Sequence, residues 1–372
     1  MMKFTVNEQN IARAITAKGG TICAVGGSVR DMVIAQINGT AVISKDMDVE
    51  VSGVSSEDIM IAVTPHCKSA GMVGAKFGVI NIAFDDGEMM DITVARRENK
   101  VGIGKKGFVV EFDPTITQIE AASRRDFTFN AMSVEMTNGH FNDFFGGISD
   151  LERGIIRHIV HHRKTAFAED ATRVLRGMQF AARFDLVVAP ETAEICAHSM
   201  SEFHTIAKEM VWIEFSKVFE KGIKPSKTIR FLRETGWVGF FPEIEQWVTN
   251  VQCDRMDAFA LNDIMVMASM FIEAGVEVAS SFMTSINAPT QTRKAVVEVV
   301  RRCHSRVTSI SEIKRMAAMV RLVEGRHIIP FGFEGVAIGK AVQAAWVAQM
   351  DGKFNSVEDG VEWTKKHCGN NS

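Results

Sequence analysis

The sequence predicts an α+β head over residues 1–140, followed by an all-α remainder. Up to about residue 140, short apolar stretches of strand length alternate with segments in which apolar residues have helical spacing. Beyond that point helical spacing predominates, for example at Val174, Leu175, Met178 and Ala181. The chain has 372 residues, of which 46% are hydrophobic and 23% charged, so it is long enough for several globular domains.

The composition argues against several classes of protein. No apolar run approaches the ~20 residues that a membrane helix requires, and the first residues lack the apolar segment of a signal peptide. The six cysteines are scattered without a C-x-x-C pair, so we expect reduced thiols, a cytoplasmic location and no zinc site. Because no apolar run is long enough for a membrane helix, we also expect no membrane partner. The net charge of −3 does not indicate a nucleic-acid partner, although local charge rather than the total sets the field at a cleft.

Within the head, the apolar spacing predicts strands and helices in alternation. They are a helix over Val6–Lys18, a strand over Thr21–Val25, a helix over Val29–Ile37, a strand over Asp46–Val51, a helix over Glu57–Ala70, and two strands over Phe77–Phe84 and Met89–Ala95. Asp85-Asp86-Gly87 separates the last two strands and is typical of a hairpin turn.

The first strand is followed by two glycines, a serine and an arginine. Gly26 and Gly27 allow backbone N–H groups to approach a phosphate closely, and we expect Ser28 to cap the next helix. Arg30 adds a fixed positive charge beside a helix N-terminus, which favours anions. The stretch therefore predicts a phosphate cradle, although a Gly-Gly pair alone is more often only a turn.

Two carboxylates follow on the next predicted strand. Asp46 and Asp48 are two residues apart, so both side chains point to the same side of a strand. Their oxygens suit Mg²⁺, and a phosphate cradle beside a carboxylate pair is what nucleotidyl transfer requires. Taken alone, such a pair is usually a solvated strand face.

Gly26-Gly27-Ser28-Val29-Arg30-Asp31, followed by Asp46-Met47-Asp48, resembles the head domain of the tRNA nucleotidyltransferase and poly(A) polymerase family. The resemblance implies a nucleotidyltransferase head with a polymerase-β-like mixed sheet and helices, followed by an all-α neck, body and tail. It also implies that Asp91, on a later strand, is a third catalytic carboxylate. The alternative for Asp91 is an acidic residue on a solvated strand face.

Residues 97–107 are rich in glycine and lysine, so we expect a mobile loop there. An ordinary surface loop has the same composition. In the resembling enzymes, a flexible loop at this place is linked to the switch from adding C to adding A. The resemblance therefore favours addition of the whole CCA sequence over addition of CC alone.

Arg125, Asp126 and Asn130 lie in a second motif of the head, Arg124-Arg125-Asp126-Phe127-Thr128-Phe129-Asn130-Ala131. Asp126 and Asn130 are four residues apart, and a helix would place them on one face, where they can bind a ribose hydroxyl pair. A charged helix start is an equally good explanation from the residues alone. The resemblance implies that Arg125 contacts the triphosphate and that Asp126 and Asn130 lie near the ribose.

A third motif, Glu169-Asp170-Ala171-Thr172-Arg173-Val174-Leu175-Arg176, lies on a predicted amphipathic helix. For an isolated helix, an ion pair between Asp170 and Arg173, worth about 0.3 kcal/mol, would explain the spacing. The resemblance instead implies that Asp170 and Arg173 bind the base edge as a protein template, while Arg176 adds positive charge. Gln179 departs from the arginine usual in the family at that position.

We interpret two further stretches as helix packing rather than chemistry: Glu209-Met210-Val211-Trp212-Ile213-Glu214 and Phe241-Pro242-Glu243. The predicted domains are a catalytic head over residues 1–140, a helical neck for base recognition over 141–190, a helical body over 191–250 and a helical tail over 251–372. The tail is expected to bind tRNA, and it lacks the His-Asp pair of a phosphohydrolase.

The resemblance thus implies template-independent addition or repair of the 3′-terminal CCA of tRNA from CTP and ATP. Mg²⁺ would be held by Asp46 and Asp48. The alternatives are a poly(A) polymerase with the same head motifs and a non-catalytic RNA-binding relative. The sequence does not predict an oligomeric state.

Overall fold

The computed structural model of the protein describes residues 2–40, 47–73, 78–100, 108–113, 115–159, 167, 170–304, 306 and 309–369. The chain divides into two compact units, Met1–Phe240 and Phe241–Ser372. Among the residues in these ranges, no helix is both long enough and apolar enough to cross a membrane.

A seven-stranded mixed sheet forms the centre of the first unit. Its strands are β1 (Thr21–Val25), β2 (Asp48–Ser52), β3 (Ser69–Val73), β4 (Val79–Ala83), β5 (Met89–Val94), β8 (Ser133–Glu135) and β9 (Phe141–Asn142), in the spatial order β3-β4-β5-β2-β1-β8-β9. Within this sheet, β2 and β5 pair in parallel, and the other neighbouring strands pair antiparallel. Two small two-stranded sheets accompany it, β6 (Arg96–Lys100) with β7 (Phe108–Phe112) and β10 (Ile155–Ile156) with β11 (Val187–Val188).

Among the described residues, five helices precede residue 153, and capping boxes explain the starts of two of them. They are α1 (Val6–Ala17), α2 (Gly27–Asn38), α3 (Ser56–Val63), α4 (Gln118–Ala122) and α5 (Gly147–Glu152). Thr5 and Glu8 form a capping box at the start of α1, and Thr117 and Glu120 form one at the start of α4. Each box satisfies backbone N–H groups that a helix start leaves without partners.

Beyond residue 153, and apart from β10 and β11, the described part of the first unit is mainly helical. Its helices are α6 (Thr172–Phe184), α7 (Pro190–His198), α8 (Lys208–Lys221) and α9 (Ser226–Glu234). The packing around α6 is aromatic: the ring of Phe180 meets Phe127 and Phe129 edge to face at centroid distances of 5.8 and 5.4 Å. Phe127 and Phe129 thereby pack α6 against the part of the chain that follows α4.

The second unit consists of helices. They are α10 (Pro242–Trp247), α11 (Asn250–Ala258), α12 (Asp263–Ser269), α13 (Val276–Ser285), α14 (Thr290–Cys303), α15 (Ile310–Ala318), α16 (Gly325–Ile328), α17 (Gly335–Met350) and α18 (Val357–Cys368). Buried Val323, Ile328, Phe333 and Phe354 form one of its apolar clusters. Over Trp346, the guanidinium carbon of Arg302 lies 4.8 Å from the ring centroid.

Burial divides the six free cysteines into two groups. Cys23, Cys196 and Cys303 are buried, whereas the other three are partly exposed. Burial raises the pKa of Cys23 to about 12 and that of Cys303 to about 11, and it also raises the pKa of Cys196. These thiols are therefore protonated at neutral pH.

The predicted α+β head and helical remainder are confirmed, but three local predictions are wrong. The helix predicted over Glu57–Ala70 ends at Val63; a 3₁₀ turn follows, and β3 begins at Ser69. Residues 97–100 of the loop predicted over 97–107 instead belong to β6, which pairs with β7, while 101–107 lie outside the described residues. Asp126 and Asn130 do not share a helix, because Phe127 is extended and only Thr128–Asn130 forms a 3₁₀ turn.

Candidate active site

A cavity of about 390 Å³ lies in the first unit, between the end of β1, the start of α2, and helices α6 and α8. Its lining brings together residues from all three sequence motifs. The lining residues are Gly26, Gly27, Arg30, Asp48, Arg125, Asp126, Asn130, Asp170, Arg173, Arg176, Gln179, Phe180, Arg183 and Lys217.

The turn between β1 and α2 requires glycine at its first position. Gly26 has φ +71° and ψ −131°, a conformation that residues with a Cβ rarely adopt. A Cβ added there would lie 3.1 Å from Asp48 Oδ2 and 3.2 Å from Arg125 Nη1. The backbone thus passes directly beside a carboxylate and a guanidinium.

Ser28 does not cap α2 as predicted. The N-cap of α2 is Gly26, without a side-chain hydrogen bond, and the buried Ser28 Oγ donates to the carbonyl of Val25 at 3.2 Å. Ser28 therefore stabilises the turn by a hydrogen bond within it, and its side chain does not line the cavity. The free N–H groups at the start of α2 remain directed toward the cavity end of the helix.

The carboxylates lie on one face of the sheet. Asp48 is exposed and Val49 is buried, as expected for alternation along β2, and Val25 of β1 pairs with Asp48. Because Val49 pairs with Ile92 in the parallel register of β2 and β5, Asp91 is on the same sheet face as Asp48. Asp46 lies outside the described residues.

Asp91 is exposed and is not part of the cavity lining. It lies opposite Asn81 of β4, whose side-chain amide donates a hydrogen bond to its carboxylate. The structure therefore brings Asp91 to the same face as Asp48 but not into the same cavity wall.

Arg30 is buried and held from several sides. Its Nη1 donates to Asn130 Oδ1 at 2.9 Å, and its Nη2 lies 2.7 Å from Asp31 Oδ1. The guanidinium carbon lies 5.2 Å and 4.8 Å from the ring centroids of Phe180 and Phe184. The positive charge beside Gly27 thus has a fixed position.

Asp126 and Arg176 form an ion pair at the floor of the cavity. Arg176 Nε donates to Asp126 Oδ2 at 2.6 Å, and Asn130 Nδ2 donates to Asp126 Oδ1 at 2.8 Å. Burial alone would raise the pKa of Asp126, but attraction to Arg176 and the hydrogen bonds from Asn130 and Arg176 outweigh it and hold the pKa below its usual value. Asp126 is therefore ionised at neutral pH.

The other basic residues approach from separate elements. Arg125 Nη2 lies 3.5 Å from Glu50 Oε2, and Arg173 Nη2 donates to the carbonyl of Arg124 at 2.8 Å. Asp170 Oδ1 accepts a hydrogen bond from the backbone N–H of Thr172 at 3.1 Å. Asp170 and Arg173 thus line the cavity together at the start of α6.

Sequence reasoning assigned no site role to Glu50, Gln179, Phe180, Arg183 or Lys217. A signal for Glu50 was present, because it continues the alternation of Asp46 and Asp48 on the same strand face. Arg183 was also detectable, two turns after Arg176 on the same predicted helix. Lys217 comes from α8, and only the packing of α8 beside α6 brings it to the cavity.

Within the described residues, which exclude Asp46, no cluster of three or more His, Cys, Asp or Glu side chains is placed to hold a metal ion. Asp48 nevertheless presents carboxylate oxygens at the glycine turn, where a Cβ would fill the space. Carboxylate oxygens are the ligands that hard divalent cations prefer.

Comparison with known proteins first defines the class of the head. Residues 22–157 match the family model described as "Poly A polymerase head domain". This stretch includes the glycine turn, Asp48, Arg125 and Asp126, all of which line the cavity.

Several relatives that match over a longer stretch are multifunctional CCA proteins. The one from Xylella fastidiosa strain M23 is 38% identical over 200 residues, covering 52% of this chain and 43% of that protein. The one from Pasteurella multocida is 33% identical over 231 residues, covering 60% of this chain and 50% of that protein. This chain therefore spans about half the length of these curated relatives.

Solved structures of CCA-adding enzymes share the fold along nearly the whole chain. An apo form has a TM-score of 0.63 at 18% identity and covers 96% of this chain and 94% of that one. The Thermotoga maritima enzyme complexed with tRNA has a TM-score of 0.60 at 18% identity, with the same coverage. The predicted fold class and the resemblance to the tRNA nucleotidyltransferase and poly(A) polymerase family are both confirmed.

Proposed function

We propose that the protein is a CCA-adding tRNA nucleotidyltransferase that adds or repairs the 3′-terminal CCA of tRNA from CTP and ATP without a nucleic-acid template. One observation carries the proposal: a single cavity joins the Gly26–Gly27 turn and Asp48 to the Asp170 and Arg173 pair. A phosphate-binding end and a base-reading end within about 390 Å³ suit one nucleoside triphosphate. The relatives named CCA protein and the CTP-bound structure of a CCA-adding enzyme with the same fold support this choice.

The triphosphate lies against the glycine turn. Backbone N–H groups at Gly26, Gly27 and the start of α2 bind phosphate oxygens, and the hydroxyl of Ser28 holds the turn in shape. Arg30 and Arg125 supply positive charge from opposite sides. The RNA 3′-hydroxyl oxygen attacks the α-phosphorus of the nucleotide. The bond between the α-phosphorus and the oxygen that bridges it to the β-phosphorus breaks, and pyrophosphate leaves.

A divalent cation belongs to this chemistry, and we assign it as Mg²⁺. We assign its binding to Asp46 and Asp48, as the motif resemblance implies: Asp48 begins β2 opposite Val25, the residue that precedes the glycine turn, and Asp91 on the same sheet face as Asp48 is the candidate third carboxylate. When bound, Mg²⁺ supplies activation of the 3′-hydroxyl and neutralises the charge of the departing pyrophosphate.

Asp126 and Asn130 serve the ribose side of the cavity. Both line it, and both also hold arginines, since Asn130 accepts from Arg30 and Asp126 accepts from Arg176. Their remaining lone pairs are available to ribose hydroxyls. Arg176 contributes charge while its ion pair with Asp126 fixes its position.

Asp170 and Arg173 select the base. An arginine donates to the O2 and N3 acceptors of cytosine, and a carboxylate accepts from the exocyclic amino group that cytosine and adenine share. Uracil and guanine do not present that combination of amino group and acceptor. The hydrogen bond from Arg173 to the carbonyl of Arg124 gives the guanidinium one orientation, as a fixed template requires.

The four predicted domains remain part of the proposal: a catalytic head over residues 1–140, a base-reading neck over 141–190, a body over 191–250 and a tail over 251–372. The helical body and tail bind the acceptor arm of tRNA by its shape and backbone. We place the protein in the cytoplasm, in keeping with its six free cysteines.

A poly(A) polymerase is the second candidate, since the family model that matches residues 22–157 carries that description. A non-catalytic RNA-binding relative is a weaker third, because Asp48 and the cavity arginines are all present.

The test is extension of a tRNA that lacks its 3′ CCA, with purified protein, Mg²⁺ and each nucleoside triphosphate alone or mixed. Addition of three nucleotides, with CTP required before ATP, supports the proposal. A long adenosine ladder from ATP alone would instead establish the poly(A) polymerase, and addition of CC alone would show that ATP is not a substrate. Asp48→Asn should abolish extension, whereas Glu88→Gln, on an exposed turn, should not.

A further inference from the structure

Besides Arg173 and Arg176, helix α6 places Arg183 in the cavity wall, and helix α8 places Lys217 there. Arg183 comes from the last turn of α6 and Lys217 from the last third of α8. Neither residue belongs to the motifs from which the function was argued. Each is held by a buried polar residue one helical turn earlier on its own helix.

Gln179 holds Arg183. The side chain of Gln179 is 1% exposed, and its Oε1 accepts a hydrogen bond from Arg183 Nη1 at 3.2 Å. Placing a neutral amide in so buried a position is costly unless its polar atoms are used. Here it fixes a guanidinium without neutralising its charge.

Glu214 holds Lys217 in a similar way. Its side chain is also 1% exposed, and its Oε1 lies 2.8 Å from Lys217 Nζ. The second oxygen, Oε2, is buried without a hydrogen-bond partner among the described residues. An incompletely satisfied carboxylate behind a cavity lysine is costly, which indicates that the arrangement serves a site and not packing alone.

The charges of the cavity differ in how they are balanced. Arg30, Arg125 and Arg176 each lie beside a carboxylate, respectively Asp31, Glu50 and Asp126. Among the described residues, no carboxylate lies within ion-pair distance of Arg183, whose side chain donates a hydrogen bond to the amide oxygen of Gln179. Burial and then the neighbouring Arg30 lower the pKa of Arg183, which remains a cation.

Arg183 is also continuous with the phosphate cradle. Its guanidinium carbon lies 4.9 Å from the ring centroid of Phe184, and that of Arg30 lies 4.8 Å from the same centroid. Arg30 Nη2 in turn would lie 3.4 Å from a Cβ on Gly27. Two like charges that share an aromatic support beside a phosphate cradle favour an anion between them.

We propose that Arg183 and Lys217 form an anion subsite for the β- and γ-phosphates of the incoming nucleotide, with Gln179 and Glu214 as their positioning residues. This inference rests on the proposed function, because it assigns part of the nucleotide to a wall of the same cavity. The subsite adds positive charge from helices α6 and α8 to that of Arg30 beside the glycine turn. Its ligand is a polyphosphate, and inorganic pyrophosphate is the simplest probe of it.

The experiment compares the dissociation constants of CTP, CMP and inorganic pyrophosphate, measured by calorimetry on the full chain without RNA. Arg183→Met should weaken CTP and pyrophosphate binding at least about tenfold while changing CMP binding less than about twofold. Lys217→Met should act in the same direction. Arg230→Met, which removes an exposed arginine of α9, is the matched control and should change none of the three constants.

Gln179 is tested through its partner. Gln179→Leu should weaken CTP binding in the wild-type background but add less than about twofold to Arg183→Met, because it acts through Arg183. Gln179→Glu keeps the acceptor but places a negative charge beside Arg183, so it should weaken CTP and pyrophosphate binding more than CMP binding. Equal losses in both backgrounds would mean that Gln179 only supports the fold, and would overturn its positioning role.

The outcomes separate the two proposals. If Arg183→Met leaves CTP and pyrophosphate binding unchanged in a protein whose wild type extends RNA, the subsite is wrong and the proposed function stands. If the variant raises the KM for RNA without lowering the ratio of CTP affinity to CMP affinity, the cations bind the RNA backbone and the nucleotide assignment is overturned. If the wild type binds CTP through Arg183 but extends no RNA, the subsite stands and the proposed function fails.

Discussion

Gly26 shows how one residue without a side chain sets the spacing of a site. Its φ and ψ are unfavourable for any residue with a Cβ, and that Cβ would crowd Asp48 and Arg125. Gly26→Ala should therefore cost about 1–3 kcal/mol of stability and lower kcat for CTP addition at least about tenfold.

Gly39 provides the control for this substitution. It also has a positive φ, of 64°, at the end of α2, but no atom lies within 4 Å of an added Cβ. Gly39→Ala should cost about 1 kcal/mol in urea unfolding and leave kcat unchanged. Equal kinetic effects of the two variants would show that crowding at Asp48 and Arg125 is unimportant.

Asp126 makes a pH-dependent contribution to stability, because its pKa is lower in the folded chain than in the unfolded chain. The contribution is complete above the unfolded pKa of about 3.9 and is lost as the pH falls through the lower folded pKa. Arg176 is more than a third exposed, so solvent weakens the pair, and Asp126→Asn should cost about 1–2 kcal/mol at pH 7.

The contribution of Asp126 is measured by urea unfolding of the wild type and of Asp126→Asn, at pH 7 and at about pH 3. The difference in the free energy of unfolding should shrink at the lower pH. Glu88→Gln, at an exposed position, serves as the control. A difference that is the same at both pH values would contradict a lowered pKa for Asp126.

At the scale of elements, helix α6 provides residues to the cavity on one part of its surface and packs against the core on another. Gly177 lies on the packed part, where no side chain fits. A Cβ at Gly177 would lie 2.7 Å from Phe231 Cζ and 3.2 Å from Phe127 Cζ. Alanine favours a helix over glycine by about 1 kcal/mol, but overpacking costs about 1–3 kcal/mol. Gly177→Ala should therefore lower the thermal unfolding midpoint.

The same substitution should have the opposite sign in α17. Gly339 is exposed within that helix, and no atom lies within 4 Å of an added Cβ. Gly339→Ala should therefore stabilise by up to about 1 kcal/mol. If Gly177→Ala were also stabilising, the packing of α6 against Phe231 would be looser than the structure shows.

The glycine turn and the strands beside it were predictable because local residue types fix them. Strand β1 was predicted at its observed ends, and Gly26, Asp48 and Arg125 meet as the motifs implied. The predicted cap by Ser28 was wrong, because its hydroxyl donates a hydrogen bond to the carbonyl of Val25 within the turn. The roles of Gln179 and Lys217 depend on how α6 and α8 pack, which no local pattern specifies.

At the scale of the whole molecule, charge is distributed unevenly. The chain has a net charge of −3, yet six basic and three acidic side chains line the cavity among the described residues. Nucleotide binding should therefore weaken with salt although the protein as a whole is acidic.

The dissociation constant of CTP should rise by about an order of magnitude between 50 and 500 mM KCl, as the Debye length falls. Uncharged cytidine is the control, and its weaker binding should not depend on salt. Equal salt dependence for CTP and cytidine would mean that the cavity charges do not attract the nucleotide.

The burial of Cys23, Cys196 and Cys303 gives the protein an internal reporter of opening. Their raised pKa values and lack of exposure make them unreactive toward a thiol reagent in the closed fold, whereas the partly exposed Cys67, Cys253 and Cys368 should react first. Because Cys23 and Cys196 lie in the first unit and Cys303 lies in the second, slow labelling at each thiol measures how often its own unit opens. CTP should slow labelling at Cys23, on the strand that precedes the glycine turn, more than it slows labelling at Cys303.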